Sequence, residues 1–154
     1  MQNLAPILRE HPFFKLLGEN HLENLVHCSS NVKFKAGEFI FKEGEDAAHL
    51  YLIRHGRVSL ELHSPHLDSH TIQTVGEGEV LGWSWLVSPF QWLSDAKAVD
   101  LVRAIQMDGH CLREKCDADH ELGYHMYKNI ASMMQERLHN ALIQLLDLYA
   151  TPEK

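Results

Sequence analysis

The residues whose types and spacing could do chemistry crowd into Gly76-Glu77-Gly78-Glu79-Val80-Leu81-Gly82-Trp83-Ser84-Trp85-Leu86 and its continuation Ser88-Pro89-Phe90-Gln91-Trp92-Leu93-Ser94-Asp95-Ala96. All three tryptophans of the chain stand here, behind a run of glycines. A glycine-rich turn that enters a short helix brings backbone N–H groups up to an anion, because glycine permits close approach and the first N–H groups of a helix lack internal partners. On that reading Gly82, Trp83, Ser84, Trp85, Leu86, Trp92, Ser94, Asp95 and Ala96 are the candidate ligand-binding residues. The same pattern also suits a tight turn whose aromatics fill a core.

Other groups are weaker candidates. His63, His66 and His70 share a polar loop with Pro65 and Asp68, where imidazoles could meet a metal but a hairpin loop rarely organises them. Cys116 and His120 stand at i and i+4, beside Asp117 and Glu121. One helix face could offer thiolate and imidazole, yet two further ligands are not in view, so no metal site is expected. Arg113 is free to pair with Glu114 or Asp117 on the surface. No Ser-His-Asp elbow, HExxH, P-loop or paired-carboxylate motif occurs, which leaves no catalytic residue and makes an enzyme the least expected class.

Composition narrows the rest. The 154 residues suffice for one domain with its own core. With 14 basic against 21 acidic residues the formal charge is −7, and such a domain does not court nucleic acid, whose phosphates are met by Lys and Arg. Cys28, Cys111 and Cys116 form no CxxC pair, and their odd number without a signal-peptide pattern suggests reduced thiols and a cytoplasmic setting. No apolar run approaches the ~20 residues that span a bilayer.

The elements that must position the tryptophan segment change character along the chain. Apolar residues at helical spacing run from Leu4 to His27, broken by Pro12 and Gly18. They predict two or three short helices, the last capped by Asn20 with Glu23 three residues on. From Val32 short β-favouring runs follow, such as Leu50-Tyr51-Leu52-Ile53 and Val58-Ser59-Leu60-Glu61-Leu62, with a glycine at nearly every turn, the mark of a β-roll or barrel. Ala98 to Met107 adds one or two strands. His120 to Tyr149 then carries apolar residues at spacings of three and four, a stripe too full for a lone helix unless something covers it. Its first turns can pack on the roll, and the rest meets a second copy as a parallel homodimer. Met126, Ile130, Met134, Leu138, Ala141, Leu142 and Leu145 form the expected seam.

This order of elements resembles the cyclic nucleotide-binding domain of the catabolite-activator (Crp/Fnr) superfamily of bacterial transcription regulators, over nearly the whole chain. The resemblance is carried by His11-Pro12-Phe13-Phe14-Lys15-Leu16-Leu17, Gly37-Glu38-Phe39-Ile40, Glu43-Gly44, Leu50 to Val58, and Gly76-Glu77-Gly78-Glu79 with Leu81-Gly82. It implies a mainly β fold: a double-stranded β-helix or jelly-roll with short N-terminal helices (1–30), the β-roll (31–109) and C-terminal helices (110–150), the last long and dimerising.

The departures from the family pattern concern the ligand. In the family's phosphate-binding cassette, the segment that here starts at Gly82, members that bind cyclic AMP place Glu after the first glycine to receive the ribose hydroxyl, where this chain has Trp83. Their phosphate-holding arginine falls at Trp92 or Leu93, and the adenine-facing hydroxyls of the long helix fall at Ala141 and Leu142. Lys97 and Arg103 are the nearest cations in sequence. Cyclic AMP is therefore expected to bind weakly or not at all, and a flat, apolar or larger stacking effector fits better. The superfamily's iron–sulfur sensors need an N-terminal cysteine cluster, where only Cys28 stands. Its regulators continue into a winged helix-turn-helix, whereas this sequence stops at Thr151-Pro152-Glu153-Lys154, so specific DNA binding is not expected. Two expectations follow: a stand-alone, non-enzymatic sensor with a small-molecule or nucleotide-like effector, or an interaction scaffold for a protein partner, its pocket plugged by Trp83, Trp85 and Trp92.

Overall fold

The computed structural model describes residues 4–14 and 17–150. Two short helices, α1 (Ala5–Glu10) and α2 (Glu19–Val26), flank a 3-10 turn at Pro12–Phe14. The strands follow as β1 (Ser29–Phe34), β2 (Phe39–Phe41), β3 (His49–His55), β4 (Val58–Ser64), β5 (Leu67–Val75), β6 (Val80–Leu81), β7 (Asp95–Ala98) and β8 (Val102–Asp108). Two helices close the chain, α3 (Gly109–Ala118) and α4 (His120–Ala150).

The strands form two four-stranded antiparallel sheets, ordered β1-β8-β3-β6 and β2-β7-β4-β5. This is the expected jelly-roll. In β3, Leu50 to Ile53 are all buried rather than alternating, as a strand covered on both faces requires. The turn from β3 to β4 depends on Gly56, whose φ is +91° and whose absent Cβ would stand 2.2 Å from the Leu101 carbonyl oxygen. Any side chain there would meet both left-handed strain and a backbone clash.

Several local expectations are corrected. Helix α2 begins at Glu19 after Gly18, so Asn20 lies inside it and is not its cap. Cys28 and Cys111 form a disulfide across 83 positions, joining the segment before β1 to the first turn of α3, and only Cys116 remains free. Two of the three cysteines expected as reduced thiols are thus oxidised. Cys116 and His120 do not share a helix, because Asp119 is extended between α3 and α4 and its carboxylate accepts the N–H groups of Glu121 and Leu122 to cap α4. Arg113 does not pair with Glu114 or Asp117: its guanidinium donates to the Trp85 carbonyl and lies 4.4 Å from the Phe90 ring centre, while Glu114 meets His110.

Helix α4 divides into two parts. Leu122, Met126 and Ile130 are buried in the domain's own core, so Met126 and Ile130 do not belong to an intermolecular seam: burying apolar side chains on the adjacent roll already satisfies them. Beyond Arg137 every residue to Ala150 is exposed, an overhang of about 20 Å at 1.5 Å per residue. Met134, Ala141, Leu142 and Leu145 lie in the open, as does Leu138 at 60% exposure. No helix among the described residues is long and apolar enough to cross a membrane.

Candidate functional site

The tryptophan segment leaves the roll at Gly82, whose φ is +94°. The short helix expected after it does not form. The chain makes successive turns instead, with Leu86 N–H donating to the Trp83 carbonyl and Phe90 N–H to that of Val87. Pro89 follows a cis peptide bond and Phe90 has φ +58°. The loop is tied back by N–H groups of Ala47 and Gly44 to the carbonyls of Phe90 and Trp92, and by Trp92 N–H to Glu45. Without a helix there is no array of first-turn N–H groups for an anion.

The three indoles take three different places. Trp92 is 5% exposed and stacks on Phe41 with ring centres 3.7 Å apart and planes 7° from parallel. Its ring edge would lie 2.7 Å from a Cβ at position 82, so only glycine lets it sit so deep. Trp83 is half-buried, and the Arg137 guanidinium stands 5.3 Å from its ring centre. Trp85 turns the other way, fully buried against Gly109 with an unpartnered indole N–H. It is a core residue rather than a pocket residue, and buried Leu86 is likewise part of the core.

What remains of the cassette cavity is about 40 Å3, lined by Phe41, Leu60, Leu81, Gly82, Trp83, Ser84, Trp92, Leu93, Ser94 and Arg137. Small-molecule sites run from about 300 to 1,000 Å3, so this space admits a water or two. The remaining candidates are structural. Ala96 pairs with Phe41 and Leu60 across the sheet. Buried Asp95 accepts Glu43 N–H at 2.8 Å and meets His63 Nε2 at 2.6 Å. Burial opposes its ionisation, but those hydrogen bonds, with the charges of His63 and Lys42, outweigh burial and hold its carboxyl below the usual range.

His63 is therefore engaged with Asp95, while His70 pairs beside Leu62 in the β4–β5 hairpin. Burial, with Asp117 and Asp119 nearby, pushes the Cys116 thiol up to about 11. Among the described residues no three His, Cys, Asp or Glu side chains converge on a metal position. Of the nearest cations in sequence, Lys97 lies 5.5 Å from the Phe39 ring centre and Arg103 is exposed opposite Lys33.

The residue that sequence reading missed is Arg137. It is 8% exposed, donates to the Val80 carbonyl of β6 and stacks over Trp83. Burial lowers its pKa, and Glu79 and Glu136 act in the opposite sense. A signal existed: Arg137 interrupts the inward line Met126–Ile130–Met133 at helical spacing, where a charge is costly unless it has a task.

Residues 31–119 match the cyclic nucleotide-binding domain family, and the chain belongs to it. A CRP-like cAMP-activated global transcriptional regulator of Mycobacterium tuberculosis is 27% identical over 115 residues, covering 75% of this chain and 51% of that protein. The chain thus spans about half the length of the curated relatives it matches. A candidate cyclic nucleotide-binding protein of Geobacter metallireducens GS-15 superposes with a TM-score of 0.80 at 32% identity, over 88% of this chain and 98% of the other. A cyclic nucleotide-binding domain from Methylobacillus flagellatus KT, at 16% identity and a TM-score of 0.83, covers 100% of this chain and 89% of its own and shares the fold. The chain thus carries a domain of the cyclic nucleotide-binding type.

Proposed function

We propose that this domain is a non-enzymatic sensor whose cassette is closed to cyclic nucleotides and whose output runs through α4 to a second copy of itself. The observation that carries it is the Trp92 ring seated on Phe41 and Gly82, which leaves about 40 Å3 where a ligand would lie. Trp83 stands in place of the ribose-holding carboxylate, and no arginine comes from the segment itself. The effector is a small molecule other than cyclic AMP. Arg137 ties α4 to the cassette through Val80 and Trp83, so anything that moves those contacts tilts the helix and its exposed leucines.

The homodimer forms through Met134, Leu138, Ala141, Leu142 and Leu145, without Met126 or Ile130. Leu146, Leu148 and Tyr149, exposed at 66–82%, extend the apolar surface, which a lone soluble helix has no reason to carry. The chain's acidity argues against specific duplex DNA binding by this domain. A scaffold reading, with a protein partner on α4 and no effector, is favoured by the plug itself. Tryptophan emission during titration with metabolite pools separates the two: a saturable change supports the sensor, and an inert spectrum with a stable partner complex supports the scaffold.

A further inference from the structure

A groove of about 300 Å3 opens between α4, the Pro12–Phe13 turn, Gln73 of β5 and the Gly78–Val80 stretch, and Arg137 lines it. A guanidinium removed from water is expected to face a carboxylate, because burying a lone charge is costly. Among the described residues Arg137 forms no salt bridge, and its hydrogen bond goes to the Val80 carbonyl. Guanidinium carries five N–H donors in a fork that suits a planar anion. Apart from the bond to Val80, the Arg137 donors have no protein acceptor among the described residues and are not buried without a partner, so they are open to a ligand in the groove.

The rest of the groove restricts what the anion can be. Phe13 and Met133 supply apolar surface, and Asn140 and Ser132 supply neutral polar groups. Glu79 and Glu136 also line it. Glu79 accepts Gly76 N–H at 3.1 Å. Two carboxylates around one cation repel a polyanion and offer acceptors to a ligand's N–H groups. At about 100° per residue, Asn129, Glu136 and Asn140 fall on one flank of the Ile130–Arg137 line and Leu138, Leu142 and Leu145 on the other, so dimerisation leaves the groove open.

We propose that this groove, and not the cassette, is the effector site, and that it takes a compact planar mono-anion bearing N–H donors, of the amino-substituted aromatic carboxylate class. The carboxylate sits on the Arg137 fork, the ring on Phe13 and Met133, and the amino group on the Glu136 side. The proposal rests on the reading that the cassette is closed. Binding draws Arg137 outward from Trp83, which gives a ligand leverage on α4.

The test is calorimetric titration of the full chain with 4-aminobenzoate, with benzamidine as the cationic counterpart. Saturable binding of 4-aminobenzoate tighter than about 1 mM is expected, with none by benzamidine. Arg137→Gln should weaken binding at least tenfold. Should that variant fail to fold, Asn140→Trp, at an exposed position on the groove wall, should do the same with an unchanged melting midpoint. Trp92→Phe, in the cassette, should alter affinity less than twofold. No saturable binding, equal binding of benzamidine, or full binding by Asn140→Trp overturns the groove while leaving the closed cassette intact. Loss in Trp92→Phe alone places the probe in the cassette and overturns both.

Discussion

Replacing Trp92 with alanine asks whether the indole is a fixed part of the core or a door. The side chain is 5% exposed, stacked at 3.7 Å on Phe41 and pressed on the Gly82 backbone. Truncating a buried aromatic costs about 3–5 kcal/mol through lost transfer energy and the void it leaves. Against a total stability of about 5–15 kcal/mol the variant should still fold, with a melting midpoint lower by about 6–20 °C for a chain of this length. Urea unfolding followed by far-ultraviolet circular dichroism gives the free energy directly. Trp92→Phe should recover much of the loss by keeping a ring against Phe41. A loss under about 1 kcal/mol for the alanine variant would mean that the indole spends its time in solvent. The cassette would then be open to a ligand rather than closed.

Three further outcomes are expected. Leu138→Asp puts a carboxylate into the proposed seam at a residue 60% exposed in the single chain, and should give a folded monomer by light scattering, since a buried unpaired charge costs more than one leucine contributes; a variant that stays dimeric removes the seam. Asp95→Asn should cost about 1–3 kcal/mol at neutral pH by loosening the Glu43 and His63 contacts. Because the folded-state pKa of Asp95 is lowered from 3.8, its stabilisation is complete above that value and lost as pH falls through the folded-state pKa; the gap between the two proteins should therefore close in acid, as chemical unfolding across pH would show. Removing the Cys28–Cys111 bridge by a double serine substitution should cost about 2–5 kcal/mol, and the wild type should lose as much in excess reductant.

The fold was legible because its signals are local. Glycines such as Gly56 and Gly82 punctuate strands at positions that need a left-handed backbone, and the change from period two to a helical stripe at His120 marks the last element. What stayed hidden depends on contacts distant in sequence. Arg137 reaches Val80 across 57 positions and Cys28 meets Cys111 across 83, and neither periodicity nor spacing reports such a meeting. Trp83 and Trp85 read alike in the sequence, yet one faces the cassette and the other the core beside Gly109. The absent helix after Gly82 has a related cause: its segment is held in turns by Ala47, Glu45 and Arg113, all from outside it. The division of α4 at Arg137 follows from where the roll ends, so one continuous stripe conceals a buried half and an open half.

The central claim, a cyclic nucleotide-binding fold whose cassette does not accept cyclic nucleotides, is tested most directly by calorimetric titration of the wild-type protein with cyclic AMP and cyclic GMP. The departures at Trp83 and at Trp92 or Leu93 cost a couple of kcal/mol apiece. Together with a cavity of about 40 Å3, they are expected to leave dissociation constants near the millimolar range, at tenfold per 1.4 kcal/mol. A constant below about 10 μM for either nucleotide would contradict the closed cassette.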